Sequence, residues 1–445
     1  MLVNTHIHSV VIAILLITGL STSAQTWPLE KCIDSAKMHN KNLQISRNIK
    51  LITDLKSKES KANLIPKLIL NSEYKYFTNL PYQLMPLSTF NTAAPEGQFK
   101  EAQFGVPHNL NANLQLSIPL YNPQLYGAIQ ITEIQKEISE LQYQKNEEQI
   151  YFEISNLYYN AQILQQQILF IDSNIINTKK LLNNSHLLFN QLLIKGTDVN
   201  KTQLQLDQKN LQKEILNSKY QQVLKALKFY IGISDDSNLQ IDSVIKFQDI
   251  IELNSSKNID LEITKVQNRV LKSEVNTYNK SRYIPSFSFV GVYGSSGFGY
   301  DKQPNDFLKF YPIGFAGIQL SYPIFNGTIT SRKIDQKQIE LNNNELQFSI
   351  QNEQNKMLIQ NARNQKDIAK KTIETTKQQI ELAKTIYKQT LLQQINGIAS
   401  LTEVLMADNT LHEAQQSYLT AVVEYLKADL ELKKLTGNIS TKTYN

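Results

Sequence analysis

The side chains best suited to metal or nucleophilic chemistry are few in this chain and badly placed for it. The histidines are His6, His8, His39, His108, His186 and His412, and none of their spacings is that of a metal-ligand set. Cys32 is the lone cysteine, so no thiolate pair and no intramolecular disulfide can form. GSSGFG at 294–299 is glycine-rich but follows a strand and opens no helix. A phosphate cradle needs that helix N-terminus, and the stretch reads instead as a surface turn. No G-x-S-x-G nucleophile elbow occurs, and the methionines are too dispersed for a metal relay. No catalytic, cofactor-binding or metal-binding residue is expected, and no enzyme. The net charge of +6 comes from lysines scattered among acids along helical stretches. A nucleic-acid surface needs clustered basic residues, and there is no such cluster.

The patterning of the chain is more informative. Leu110, Ala112, Leu114, Leu116, Ile118 and Leu120 alternate with Asn111, Asn113, Gln115 and Ser117. This period of two predicts a strand over about 110–120 with one apolar and one wet face. After Pro119 and Pro123 the period changes. Ile150, Ile154, Leu157, Ala161, Leu164, Ile168, Ile171 and Ile175 step by four and three, a heptad seam. About seventy helical residues would make a rod of roughly 105 Å. A second two-faced strand is expected at about 67–77, with Tyr74 and Tyr76 towards one end. Between the two, Thr78 to His108 is rich in Pro and Gly and reads as a loop. Residues 1–24 read as a cleaved signal peptide, with an apolar core from Val10 to Leu20 and small residues before Gln25. Beyond it no run of about eighteen apolar residues exists, so any membrane crossing has to be a β-barrel.

The chain also repeats itself. NLIPKLILNSEY at 63–74 matches RYIPSFSFVGVY at 282–293, QLSIPLYN at 115–122 matches QLSYPIFN at 319–326, and IKGTDVNKTQL at 194–204 matches INGIASLTEVL at 395–405. The first half is 25–258 and the second 259–445. Each reads as helix, strand, loop, strand, long helix, glycine turn and returning helix. The second half's strands are expected at about 286–294 and 314–322, with Phe287 and Phe289 on the apolar face. Its returning helix carries Val404, Leu411, Tyr418, Tyr425 and Leu432 at intervals of seven, and Leu204, Leu211 and Ile215 line one side of the first. Thr197 or Asp198 is the expected cap of that first returning helix. A region from Ile231 to Lys257 joins the halves. Four strands cannot enclose a lumen, whereas three chains supply twelve, within the range of outer-membrane barrels. Asn111, Asn113, Gln115 and Ser117 then face the lumen, and Leu114, Leu116, Ile118, Phe287 and Phe289 face lipid. The fold class is mainly α with a membrane β-barrel and an internal duplication.

In that ordered, duplicated set of motifs the mature chain resembles the TolC-like outer membrane efflux (outer membrane factor) family. The resemblance implies a homotrimer with a twelve-stranded barrel in outer-membrane lipid and a long helical barrel in the periplasm. It also implies passive export through a periplasmic adaptor (membrane fusion) protein from an inner-membrane pump of the RND or ABC type. The turns at Gly196 and Gly397 would be the tips that dock the adaptor. Glu403 matches an acidic position of the family's periplasmic constriction, but the next such position is Met406 here, so the usual pair of carboxylates is half present. Asp408 stands two residues further on. An ordinary solvated helix carboxylate is the competing reading of Glu403.

The expected activity is export of small molecules such as drugs, dyes or metal ions. An exit duct for secreted proteins is the alternative on the same fold. A secreted coiled-coil structural or adhesive protein is the alternative of another class, and it leaves the duplicated two-faced strands unexplained.

Overall fold

The structure, a computed structural model, describes residues 26–89, 91–245, 258–304 and 306–439. The expected signal peptide and residues 246–257 of the expected connection lie outside these. The first half runs α1 (Leu29–His39), α2 (Lys41–Ala62), β1 (Lys67–Tyr76), β2 (Tyr82–Pro86), β3 (Phe99–Gln103), β4 (His108–Tyr121), α3 (Pro123–Asn190) and α4 (Gly196–Ile231). The second runs α5 (Ile259–Tyr283), β5 (Ser286–Tyr300), β6 (Phe307–Ser321), α6 (Ile329–Ile395) and α7 (Leu401–Leu435).

Asparagines start three of the helices. The side-chain oxygens of Asn40, Asn122 and Asn258 accept from the backbone N–H groups two and three residues on, opening α2, α3 and α5. At α3 the residue after Asn122 is Pro123, whose fixed φ suits a first helical position. No described helix is long and apolar enough to cross a membrane.

The chain folds into two compact units that cut across the repeat rather than between its halves. One gathers Met1–Lys50, Glu140–Lys265 and Gln347–Asn445, and the other gathers Leu51–Ser139 and Val266–Leu346. The first unit is helical and has no single core. Four small clusters are strung along its helices, as heptad packing requires. One joins Cys32 and Ala36 of α1 to Ile154, Tyr158, Leu227 and Ile231. Burial there pushes the Cys32 thiol up to about 12, so it stays protonated and unreactive. The heptad seams are observed. Ile150, Ile154, Ala161, Ile171 and Ile175 are buried on α3, as are Val404, Leu411, Tyr425 and Leu432 on α7. On α4 the side shared by Leu204, Leu211 and Ile215 is not the buried one. Leu204, Leu211 and Ile215 are exposed, and the buried seam is Val199, Thr202, Leu206, Lys209 and Leu216.

The second unit carries a four-stranded antiparallel sheet in the order β1-β4-β5-β6, which leaves β1 and β6 as bare edges exposed along their whole length. Two expectations are corrected here. GSSGFG is not a turn, because β5 runs through it to Tyr300, and the connection to β6 is only 301–306. Its glycines serve close strand approach. A Cβ on Gly294 would sit 2.2 Å from the Ala112 carbonyl oxygen, and one on Gly297 2.6 Å from the Phe310 ring. The stretch from Thr78 to His108 is not all loop either, since β2 and β3 pair in it as a separate hairpin. Pro86 ends β2 and falls at the hairpin's last pair, where a missing N–H costs little.

Candidate functional site

The sheet presents two faces of different character. In the β1–β4 register Asn71 lies opposite Asn113, Glu73 opposite Asn111 and Lys67 opposite Ser117, so these polar residues share a face with Gln115. The Asn71 amide donates to Asn113 Oδ1 at 3.4 Å and Gln115 Oε1 at 3.2 Å, and Ser296 Oγ donates to Asn111 Oδ1 at 2.7 Å. Leu114, Leu116 and Ile118 take the opposite face with Leu68, Leu70 and Phe289, and Phe287 shares the parity of Phe289. The two expected sets are therefore segregated. The wet face is not uniform, however. In the β4–β5 and β5–β6 registers Val290, Val292, Ile313 and Phe315 fall on the side of Asn113 and Gln115. The alternation is strong in the first half's strands and weak in the second's.

The two turns between long helices share one geometry. In the first, Leu193 N–H donates to Leu188 O (2.9 Å) and Leu192 N–H to Phe189 O (2.9 Å). In the second, Ile398 N–H donates to Gln393 O (2.9 Å) and Gly397 N–H to Gln394 O (3.0 Å). Both are Schellman closures with the second residue after the helix in the left-handed region, Leu192 at φ 60° and Gly397 at φ 73°. Gly397 is thus the turn glycine expected. Gly196 is not, because it is the first residue of α4, after the turn, and has no positive φ. Its partner in the repeat is Leu401, and the Ile-x-Gly match in sequence is four residues out of structural register. The helix starts also differ. α4 follows Lys195 with no side-chain cap, neither Thr197 nor Asp198 acting as expected. α7 follows Ser400 in a full capping box, in which Ser400 Oγ accepts from Glu403 N–H and Ser400 N–H donates to Glu403 Oε2 at 2.6 Å. That N–H and then the Ser400 hydroxyl hold the Glu403 carboxyl below its usual range. Glu403 is exposed and ionised, and its carboxylate is engaged at the helix start.

Asp408 does point elsewhere. It is buried and ion-paired with buried Lys209 of α4, whose ammonium also donates to Thr178 Oγ1 at 2.8 Å on α3. Two turns along α7, Gln415 accepts from the buried Asn174 amide at 2.9 Å. Burial, and then the Lys209 charge, push His412 below its ordinary range and keep it neutral. Burial, and then Asp408, raise Tyr387 to about 12. Sequence reasoning missed this polar seam. The signal was present, for Lys209 continues the heptad of Val199, Thr202 and Leu206, where a lysine is costly unless paired.

Residues 273–438, most of the second half, match the model of the outer membrane efflux protein family. No curated protein matches by sequence. Among solved structures, the outer membrane protein VceC of Vibrio cholerae is 14% identical with a TM-score of 0.75, over 92% of this chain and 96% of that one. The outer membrane channel CmeC of Campylobacter jejuni is 14% identical with a TM-score of 0.73, over 94% and 87%. The open state of the Neisseria gonorrhoeae outer membrane channel MtrE is 14% identical with a TM-score of 0.71, over 94% and 91%. The second half carries the family's sequence pattern, and the whole chain carries the fold of TolC-like channels.

Proposed function

We propose that this protein is the outer-membrane exit duct of a tripartite efflux system, passively passing small molecules such as drugs, dyes or metal ions out of the cell. It works as a homotrimer whose twelve strands close a barrel in the outer membrane. Its helices extend into the periplasm to meet an adaptor and, through it, an inner-membrane pump. The turns at Gln191–Lys195 and Asn396–Ser400 are the docking tips, and the exposed Leu192, Leu193 and Ile398 are the apolar contacts they offer. Of Glu403 and Asp408, Glu403 is the carboxylate left for a lumenal ring, since Asp408 is consumed by Lys209.

The observation that carries this reading is the sheet. A four-stranded antiparallel sheet with both edges bare is unstable and aggregation-prone alone, and a polar face opposite a greasy one has no use inside a globular core. The test is twofold. Native mass spectrometry of detergent-extracted protein gives a trimer, and a monomer with an intact sheet overturns the reading. In a Cys32→Ser background, single cysteines at Asn111, Asn113, Gln115 and Ser117 react with a polar thiol reagent, while those at Leu114, Leu116 and Ile118 do not. Equal labelling of the two sets overturns the assignment of lumen and lipid.

A further inference from the structure

The two strand-to-helix corners, so alike in sequence, differ in what they leave open. At the first, β4 continues past Pro119 to Tyr121, Asn122 caps the helix, and the Tyr121 and Tyr126 rings stack at 5.5 Å. At the second, β6 stops at Ser321, and residues 322–328 have no regular structure before α6. They border a groove of about 300 Å³. Its floor and rim combine three chemistries. Arg282 supplies a guanidinium that lies 5.5 Å from the Tyr283 ring and has no carboxylate partner among the described residues. Thr328, Thr330 and Ser331 supply hydroxyls. Ile324 and Phe325 stand 91% and 83% exposed, among the most exposed large apolar side chains of the chain. No acid lines the groove.

We infer that this groove binds the headgroup and upper acyl chain of an anionic phospholipid at the inner face of the outer membrane, an inference that rests on the duct reading above. A guanidinium with nearby hydroxyls suits a phosphate diester, by fork-shaped donation to its oxygens. Two large apolar side chains left uncovered beside it by the single chain do not suit free phosphate, which gives them nothing to be buried against. An acyl chain does. The position agrees, for the groove begins where Ile318 and Leu320 of β6 end, at the helix end of the sheet, and Tyr283 and Tyr322 sit where aromatic side chains gather at a membrane boundary. Phosphate to Arg282 and chain along Ile324 and Phe325 accounts for every unusual feature of the corner.

The test uses delipidated trimer in detergent, titrated by native mass spectrometry with dioctanoyl phosphatidylglycerol, dioctanoylglycerol and inorganic phosphate. Wild type takes up to three phosphatidylglycerols per trimer. Dioctanoylglycerol binds at least tenfold more weakly, and millimolar phosphate does not displace the lipid. Arg282→Gln loses about tenfold in affinity with trimer yield unchanged, and Phe325→Ser loses a smaller factor. Equal binding by Arg282→Gln, or displacement by phosphate alone, overturns the inference. So does a Phe325→Ser variant that dissociates the trimer while Arg282→Gln binds lipid normally, since the groove is then covered by a second copy. Chain number is read in the same spectra. A trimer without lipid sinks only this inference, whereas a monomer sinks the duct reading.

Discussion

The two halves of this chain share an order of elements and a turn geometry, yet each junction is built from different residues. The first half enters its long helix through Asn122 and Pro123. The second enters through Gly327 and Thr328, both left-handed, at φ 64° and 69°. The first half turns at its tip on a strained leucine and starts α4 uncapped, while the second turns on a glycine and starts α7 in a capping box. A duplicated backbone therefore does not need duplicated side chains. It needs each turn to close its hydrogen bonds, and the same closure is reached once with strain and once without. Where the halves meet, at Lys209 and Asp408, neither half has a complete arrangement of its own.

That contrast can be broken most severely at the shared seam. Asp408→Ala leaves the Lys209 ammonium buried without its partner and is expected to cost about 3–5 kcal/mol. The readout is helical unfolding in urea followed by circular dichroism. Lys209→Met with Asp408→Leu restores most of the loss, because an apolar pair of similar volume removes both charges.

At the turns the expected effects are smaller and opposite in the two halves. Gly397→Val forces a β-branched residue to φ 73° and costs about 2 kcal/mol, with open space around it, so the backbone alone is responsible. Gly196→Val changes stability by no more than about 0.5 kcal/mol, its Cβ meeting only the Phe189 ring at 3.5 Å. Leu192→Gly relieves strain and gains about 1 kcal/mol. Amide hydrogen exchange at the turns separates these outcomes, and equal effects of the two valines would erase the distinction drawn between the tips.

The halves also differ in acid response. Glu148 on α3 is raised to about 7, chiefly by burial and then by Asp260, whereas its repeat counterpart on α6, Glu353, is exposed. A carboxyl whose folded value lies above its unfolded one favours the fold most at low pH. That contribution is lost as pH rises from about 4.5 to about 7, when the folded state must give up the proton. Glu148→Gln is thus expected to stabilise by about 1–2 kcal/mol at pH 8 and hardly at all at pH 4. Glu353→Gln should stay within about 0.5 kcal/mol throughout. Thermal unfolding across pH 4–8 checks both. At the helix starts, Ser400→Ala costs about 1 kcal/mol, and Lys195→Ser gains somewhat less by supplying the cap that α4 lacks.

Much of this was legible in sequence, for reasons that also explain the misses. The period of two in 110–120 and the heptads of α3 and α7 are local signals of burial, and both emerged where expected. GSSGFG misled because glycine advertises a turn locally, while its reason here is Ala112, Asn113 and Phe310 on neighbouring strands. The β2–β3 hairpin was hidden because five-residue strands bounded by proline resemble loop. The tip register failed because an Ile-x-Gly identity outweighed the cap position, and nothing in a leucine announces a positive φ. The Lys209–Asp408 pair escaped because the seam was traced by apolar residues, which skips the position where two charges replace them. The mixed wet face of β5 and β6 has the same origin, since Val290, Val292, Ile313 and Phe315 break an alternation that β4 keeps.

The order β1-β4-β5-β6 with every pair antiparallel has a consequence for inheritance. β1 and β6 run in opposite directions, so in the ring proposed above one chain's last strand would pair with the next chain's first, head to tail without a twofold axis. In such a ring every member is both donor and acceptor. A chain able to offer β1 but not β6, through a proline in the middle of β6, would enter a ring and stop it closing. One defective gene copy expressed beside a good one would then spoil most of the assemblies, far beyond its own share of the chains.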